Sequence, residues 1–300
     1  MKRILTVALV FMLLFTFTSC GTGTLNRRKA NPASDFLYKK HMDDDDIYIV
    51  KYIGTAVDVV IPDSIDNKLV SGIGKHAFRN SDIKSVDIPK TVVSIGIEAF
   101  CECKNLETVK FGANTVGILE RAFYNCTSLK EVYLPKTLRL LERDAFSGCT
   151  SLETLFVPAS LTTQNLYPRE RQPVVFNNTS SLKNIILEEG TSMLDIGTFY
   201  GCTGLTQISL PASLKTIAAG AFAYCKNLTA ITFEGDAPEF TGLYPGRKPF
   251  DLFGKYGWDY FDMDEYNEEC RNVKIYYHPD KEGWDTTPLR EFYTMVPIEE

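Results

Sequence analysis

Histidine is nearly missing: His41, His76 and His278 are the only three in 300 residues. They stand far apart, and no second Cys or His pair accompanies Cys101 and Cys103. The ligand spacing of a metal site is therefore not there, and neither a metal nor a cofactor is expected. A glycine-rich phosphate loop is missing too, and so is any Ser, Cys or carboxylate constellation tied to a fixed His. An enzyme is not expected. Basic excess is also lacking: 32 Lys and Arg face 38 Asp and Glu, a formal charge of −6. That balance argues against nucleic acid and against an anionic membrane surface as partners. Long hydrophobic runs are absent past the first residues. The one there, 4–17, is too short for a confident membrane span.

What that run does form is an address. Lys2 and Arg3 precede it, and Thr18, Ser19 and Cys20 follow it. A basic start, a short apolar core and small residues before the cut read as a secretory signal over residues 1–20. The stretch Phe17-Thr18-Ser19-Cys20 resembles a bacterial lipobox, which implies that Cys20 becomes the lipidated first residue of an exported envelope protein, in the outer membrane. An ordinary signal peptide ending in Cys is the alternative. Such a lipid anchors without spanning, so no transmembrane helix is expected in the mature protein. Loss of Lys2 and Arg3 leaves 30 basic residues against 38 acidic ones, a formal −8. Residues 21–46, with Arg27, Arg28, Lys29 and the acids 43–46, read as a polar tether.

Residues 83–151 are three consecutive copies of a 23-residue unit: IKSVDIPKTVVSIGIEAFCECKN, LETVKFGANTVGILERAFYNCTS and LKEVYLPKTLRLLERDAFSGCTS. Apolar residues open each unit and recur three and five places on. Phe follows at place seventeen (Phe100, Phe123, Phe146) and Cys at place twenty (Cys103, Cys126, Cys149). A fixed period of this length means a solenoid, because one unit cannot bury its apolar side except against the next. A divergent coil precedes these three within an N-terminal cap, residues 47–82. Units starting at Leu152, Leu182, Leu205 and Leu228 complete the repeats to residue 235, with an insertion over 236–272 and a closing cap over 273–300. In the unit from Leu152, Phe176 comes 24 places in instead of 17, an insertion of seven.

The pattern LxxVxLPxSLxxIxxxAFxxCxS resembles the BspA-like leucine-rich repeats of many bacterial surface proteins, strongly over residues 58–227 and loosely beyond. The unit LTQISLPASLKTIAAGAFAYCKN is near its consensus. That resemblance implies a curved, mostly β (α/β-type) leucine-rich-repeat solenoid with one parallel strand per coil. It also implies a secreted or lipid-anchored protein that binds partners, and it carries no catalytic motif to transfer. In-register strands stand about 4.7–4.9 Å apart, too far for an easy disulfide between repeated Cys, so these read as a ladder of buried thiols. A disulfide framework is the alternative.

Three surfaces rise above the repeat background. The fourth place after each opening residue should point outward on the concave sheet. It runs Asp87, Lys110, Tyr133, Phe156, Ile186, Ser209, Thr232, with three adjacent large apolar groups at its centre. An exposed apolar cluster reads as a binding surface, unless the inserted loop folds over it. Two insertions match each other: Tyr167, Arg169 and Arg171 in one, Tyr244, Arg247 and Lys248 in the other. They are expected at the same edge, three coils or roughly 15 Å apart, as a basic, Tyr-bearing rim. The acidic aromatic stretch with Trp258, Tyr260, Phe261 and Tyr266 reads first as capping. The tail acids Asp262, Asp264, Glu265, Glu268 and Glu269 read as a solvated surface. The expected function is recognition or adhesion by a monomer, with a protein or glycan ligand. Alternatives are carbohydrate capture by Trp258 and Tyr260, or a structural envelope role without a ligand.

Overall fold

The computed structural model describes residues 28–41, 45–161, 176, 179–194, 197–218, 220–241 and 272–299. The chain winds as a mostly β solenoid of about 9 turns, with parallel coils about 23 residues apart and almost no helix. Each coil opens on a short strand whose alternate side chains face opposite ways. Val86, Val132, Leu155, Ile185, Ile208, Ile231 and Ile275 turn inward and are buried. These strands hydrogen-bond in parallel from Asp58–Val60 through Ser85–Asp87, Thr108–Lys110, Glu131–Tyr133 and Thr154–Val157 to Asn184–Leu187. A second run continues from Gln207–Leu210 through Ala230–Phe233 and Lys274–Tyr277 to Thr294–Pro297.

The strand read from the sequence is joined by a shorter one in the same coils. Ser94–Ile95, Gly117–Ile118 and Leu140–Leu141 stack in one parallel ladder, and Met193–Leu194, Thr216–Ala218 and Glu239–Thr241 in another. The turn after them adds a third line of backbone bonds. Phe78, Phe100, Phe123 and Phe199 each donate N–H to the Ala before the next coil's Phe, at 2.7, 2.7, 2.8 and 2.9 Å. Backbone groups along the coils are thus paired between neighbours rather than left buried and unsatisfied. The turn reverses through left-handed residues at two repeated places. Glu98, Arg121 and Asp144 hold φ of 53, 55 and 57°, and Glu102, Asn125 and Gly148 hold 60, 57 and 78°. Glycine is favoured at Gly148, with φ of 78° and the Asn125 Oδ1 lying 2.0 Å from where a Cβ would stand.

The interior is a column of rings. Tyr52, Phe78, Phe100, Phe123, Phe146, Phe176, Phe199 and Phe222 stack with centroids 5.2, 4.7, 5.0, 5.1, 5.8, 6.4 and 5.6 Å apart. The widest gaps flank Phe176, in the coil that carries the inserted residues. A void of about 20 Å³ opens there among Leu141, Val157, Leu161, Leu187, Met193 and Phe199. Its walls are mostly apolar, with Thr191 and Thr198 as the polar side chains among them. Beside the rings runs the cysteine ladder. The Sγ–H of Cys103, Cys126, Cys149 and Cys225 donates to the carbonyl of Phe78, Phe100, Phe123 and Phe199, at 2.9, 3.2, 3.3 and 3.0 Å.

At the N-terminal end the structure corrects one expectation. Residues 36–40 lie inside the stretch read as a tether, yet Phe36–Lys40 is a strand antiparallel to Ile47–Tyr52. Phe36 is buried against Tyr52, with centroids 5.6 Å apart, an apolar anchor that the polar composition around it conceals. Asn31 covers the outermost first strand, its N–H bonding the Val60 carbonyl and its Oδ1 accepting from the Val60 N–H, at 2.9 and 2.8 Å. The free edge of that sheet is closed off in this way. Beyond the last clear repeat, Trp284 is buried against Phe233 and Tyr277, at 5.0 and 5.2 Å. Its Nε1–H donates to the Gly235 carbonyl at 3.0 Å.

Candidate recognition face

The outward places of the first ladder form a flat array fixed by pairing. Tyr133 lies opposite Phe156, and Phe156 opposite Ile186, on three adjacent strands. Their inward neighbours Val132, Leu155 and Ile185 are buried, so the strand alternation itself holds these three outside. Tyr133 is 55% exposed, and Phe156 and Ile186 are half-buried. Among the described residues the cluster is therefore outer surface and not core. The Tyr133 hydroxyl donates to Glu131 at 3.3 Å. Partial burial, followed by the Glu131 charge, pushes its ionisation up, and the phenol stays neutral and able to donate.

The cluster is bordered by charge. Places next to the opening residue alternate in sign across coils: Lys84, Glu107, Lys130, Glu153, Lys183. Lys130 meets Glu107 at 3.2 Å. On the other side Lys136 bridges to Glu188, spanning the intervening coil, while the Glu188 carboxylate also accepts from the Ala159 N–H at 3.1 Å. Burial works against that carboxylate, but the Lys136 ammonium and the Ala159 N–H outweigh it and hold its pKa below the ordinary value.

The column read from the sequence as far as Thr232 continues further. In the second run of strands Ser209 and Thr232 pair in register, and Tyr276 and Val296 follow them on the next two strands. Tyr276 and Val296 were missed as surface residues. The signal for Tyr276 was present, since it alternates with buried Ile275 and Tyr277. Beside it Ser209 donates to Glu234 at 2.6 Å, and His278 Nε2 meets the other Glu234 oxygen at 3.2 Å.

The repeat profile described as the BspA type leucine rich repeat region matches in 6 copies, over residues 71–167 and 171–241. The chain belongs to the BspA type leucine-rich-repeat family. Among solved structures it is similar to the T. pallidum leucine rich repeat protein, with 28% identity and a TM-score of 0.53 over 71% of this chain and 85% of that one. It is also similar to a leucine rich cell surface protein from Faecalibacterium prausnitzii A2-165, with 27% identity and a TM-score of 0.55 over 68% of this chain and 54% of that one. No curated protein matches.

Leucine-rich-repeat folds of this family are in general non-enzymatic scaffolds, and the family points to a binding or recognition role. Ser209 donates to one Glu234 carboxylate oxygen at 2.6 Å, and His278 Nε2 meets the other at 3.2 Å, so the serine and the imidazole do not bond to each other. The cysteines are unreactive. Cys101, Cys103, Cys126, Cys149, Cys202 and Cys225 are free and buried. Burial pushes Cys103 and Cys149 up to about 12 and Cys126 well above its ordinary value. Among the described residues no group of three His, Cys, Asp or Glu could hold a metal, and no helix is long and apolar enough to cross a membrane. Tyr167, Arg169, Arg171, Tyr244, Arg247, Lys248, Cys20 and the aromatics Trp258, Tyr260, Phe261 and Tyr266 lie outside the described residues.

Proposed function

We propose that this family member is a non-enzymatic recognition or adhesion protein of the cell envelope, held by a lipid on Cys20 in the outer membrane. It binds a protein partner through the outer face of its first ladder. Tyr133, Phe156 and Ile186 form the contact centre, and Tyr167, Arg169, Arg171, Tyr244, Arg247 and Lys248 form the rim. The observation that supports this reading is the in-register placement of three large apolar side chains on adjacent strands, at a place where the neighbouring coils put Asp87, Lys110, Ser209 and Thr232. Solvent-facing aromatic and aliphatic groups on a rigid sheet desolvate at little entropic cost when covered, and such groups dominate binding energy at interfaces. The polar border of Glu131, Lys136 and Glu188 supplies orientation rather than affinity.

The test uses purified extracellular-matrix proteins, among them fibronectin, fibrinogen and laminin, presented to the intact chain and to a Tyr133→Ser, Phe156→Ser double variant. Neither residue fills the core, so the variant keeps its unfolding midpoint. Binding to a matrix protein that the variant loses supports the reading. Binding retained by the variant, or none by the parent chain, overturns it.

A further inference from the structure

We propose a second binding site on the same sheet, for a neutral saccharide, built by Ser209, Thr232, Glu234, Tyr276 and His278. It rests on side chains other than the Tyr133 cluster and stands independently of the reading above. The repeat supplies its own background. The place two residues after the outward column residue is proline in most coils, namely Pro62, Pro89, Pro135, Pro158 and Pro211. Two successive coils near the C-terminal end replace it with Glu234 and His278, and these two side chains meet over the outer face at 3.2 Å. Glu188, the other acid at this place, is taken up by Lys136 and Ala159. Among the described residues Glu234 has no Lys or Arg partner. Its partners are the Ser209 hydroxyl at 2.6 Å and the His278 ring.

The chemistry follows from what remains open. Each carboxylate oxygen of Glu234 accepts one bond from its own protein and keeps a further lone pair. Two such acceptors on one rigid group match a pair of neighbouring hydroxyls. His278 Nε2 faces Glu234, which leaves Nδ1 as a further hydrogen-bonding atom, donor or acceptor according to the tautomer. Glu234 and His278 remain 44% and 32% exposed, so a ligand reaches both. Two residues before each, on the same side of the sheet, stand Thr232 and Tyr276, paired in register on adjacent strands. Their hydroxyls make no side-chain hydrogen bond among the described residues. Tyr276 presents a half-buried ring beside the carboxylate, an apolar body with a polar tip. A pyranose offers the complement: a C–H face to lie on the ring and hydroxyls around its edge. Its width is about one strand spacing, roughly 5 Å, so successive sugars of a chain run along the column. A carboxylate with acceptors to spare disfavours an anionic ligand, hence the neutral class.

Isothermal titration of the full chain with N-acetylglucosamine, chitotetraose, cellotetraose, laminaritetraose and maltotetraose tests the site. At least one of the oligosaccharides binds, and Glu234→Gln weakens it roughly tenfold or more, the size of a lost charged hydrogen bond. Tyr276→Ala abolishes binding, Tyr276→Phe retains the ring and most of the affinity, and Tyr133→Ser changes nothing. Glu234→Gln is isosteric, so a folded control exists even if Tyr276→Ala is unstable. No binding at millimolar sugar, or binding indifferent to both Glu234→Gln and Tyr276→Ala, overturns the proposal.

Discussion

Each phenylalanine of the internal column touches the one before and the one after, so its loss opens two interfaces at once. Phe123 is fully buried, at 5.0 and 5.1 Å from its neighbours and nearly parallel to both. Phe123→Ala costs about 3–5 kcal/mol, read by chemical denaturation. Phe176, at 5.8 and 6.4 Å and beside a void, has already lost part of that contact, and Phe176→Ala costs less. The opposite order would mean that the rings do not carry the packing. The cysteines make a second test at this scale. A thiol held at about 12 is almost never a thiolate at neutral pH, and these thiols are also out of reach. Iodoacetamide leaves Cys103, Cys126, Cys149, Cys202 and Cys225 unmodified in the native chain. It labels all five after denaturation without reductant, as read by mass spectrometry, and labelling that needed a reductant would mean disulfides.

At the scale of the element, the clearest device is the Lys136–Glu188 clamp over the coil between them. The folded carboxyl titrates below its ordinary 4.5, so the folded state binds fewer protons than the unfolded one in that range. The clamp therefore stabilises fully above the ordinary glutamate range and loses its contribution as pH falls through it toward the lower folded value. Glu188→Gln flattens that acid limb of the stability profile and leaves the neutral-to-basic limb parallel to the parent, as urea midpoints across pH would show. How much was legible in the sequence divides along the same line. The first strand of each coil has a two-residue alternation, and Val86, Val132 and Leu155 give its inward side away. The second strand, such as Ser94–Ile95 or Gly117–Ile118, is two residues long, too short to show any period, and pairing between coils creates it. The strand Phe36–Lys40 was hidden because only Phe36 of its five residues is buried. Of the recognition face, the Tyr133 cluster could be counted off the repeat. The clasp of Glu234 by Ser209 and His278 could not, since 44 residues separate its carboxylate from its imidazole.

At the scale of the whole molecule, a solenoid holds no central core that every element shares. Coils bind only their neighbours, so stability is a sum along the stack and the ends are its weakest places. Among the described residues the first ladder is interrupted between Asn184–Leu187 and Gln207–Leu210. Trp284 fills the far end of the interior, against Phe233 and Tyr277. Trp284→Ala accordingly strips amide protection from Lys274–Tyr277 and Ala230–Phe233 in hydrogen exchange, while Ser85–Asp87 exchanges as before. Uniform loss along the whole chain would instead mean that the coils unfold as one unit. The distinction bears on recognition, because the saccharide patch lies on the strands that Trp284 supports, whereas the Tyr133 cluster lies several coils away. The same substitution weakens sugar binding and leaves protein binding through Tyr133 and Phe156 intact.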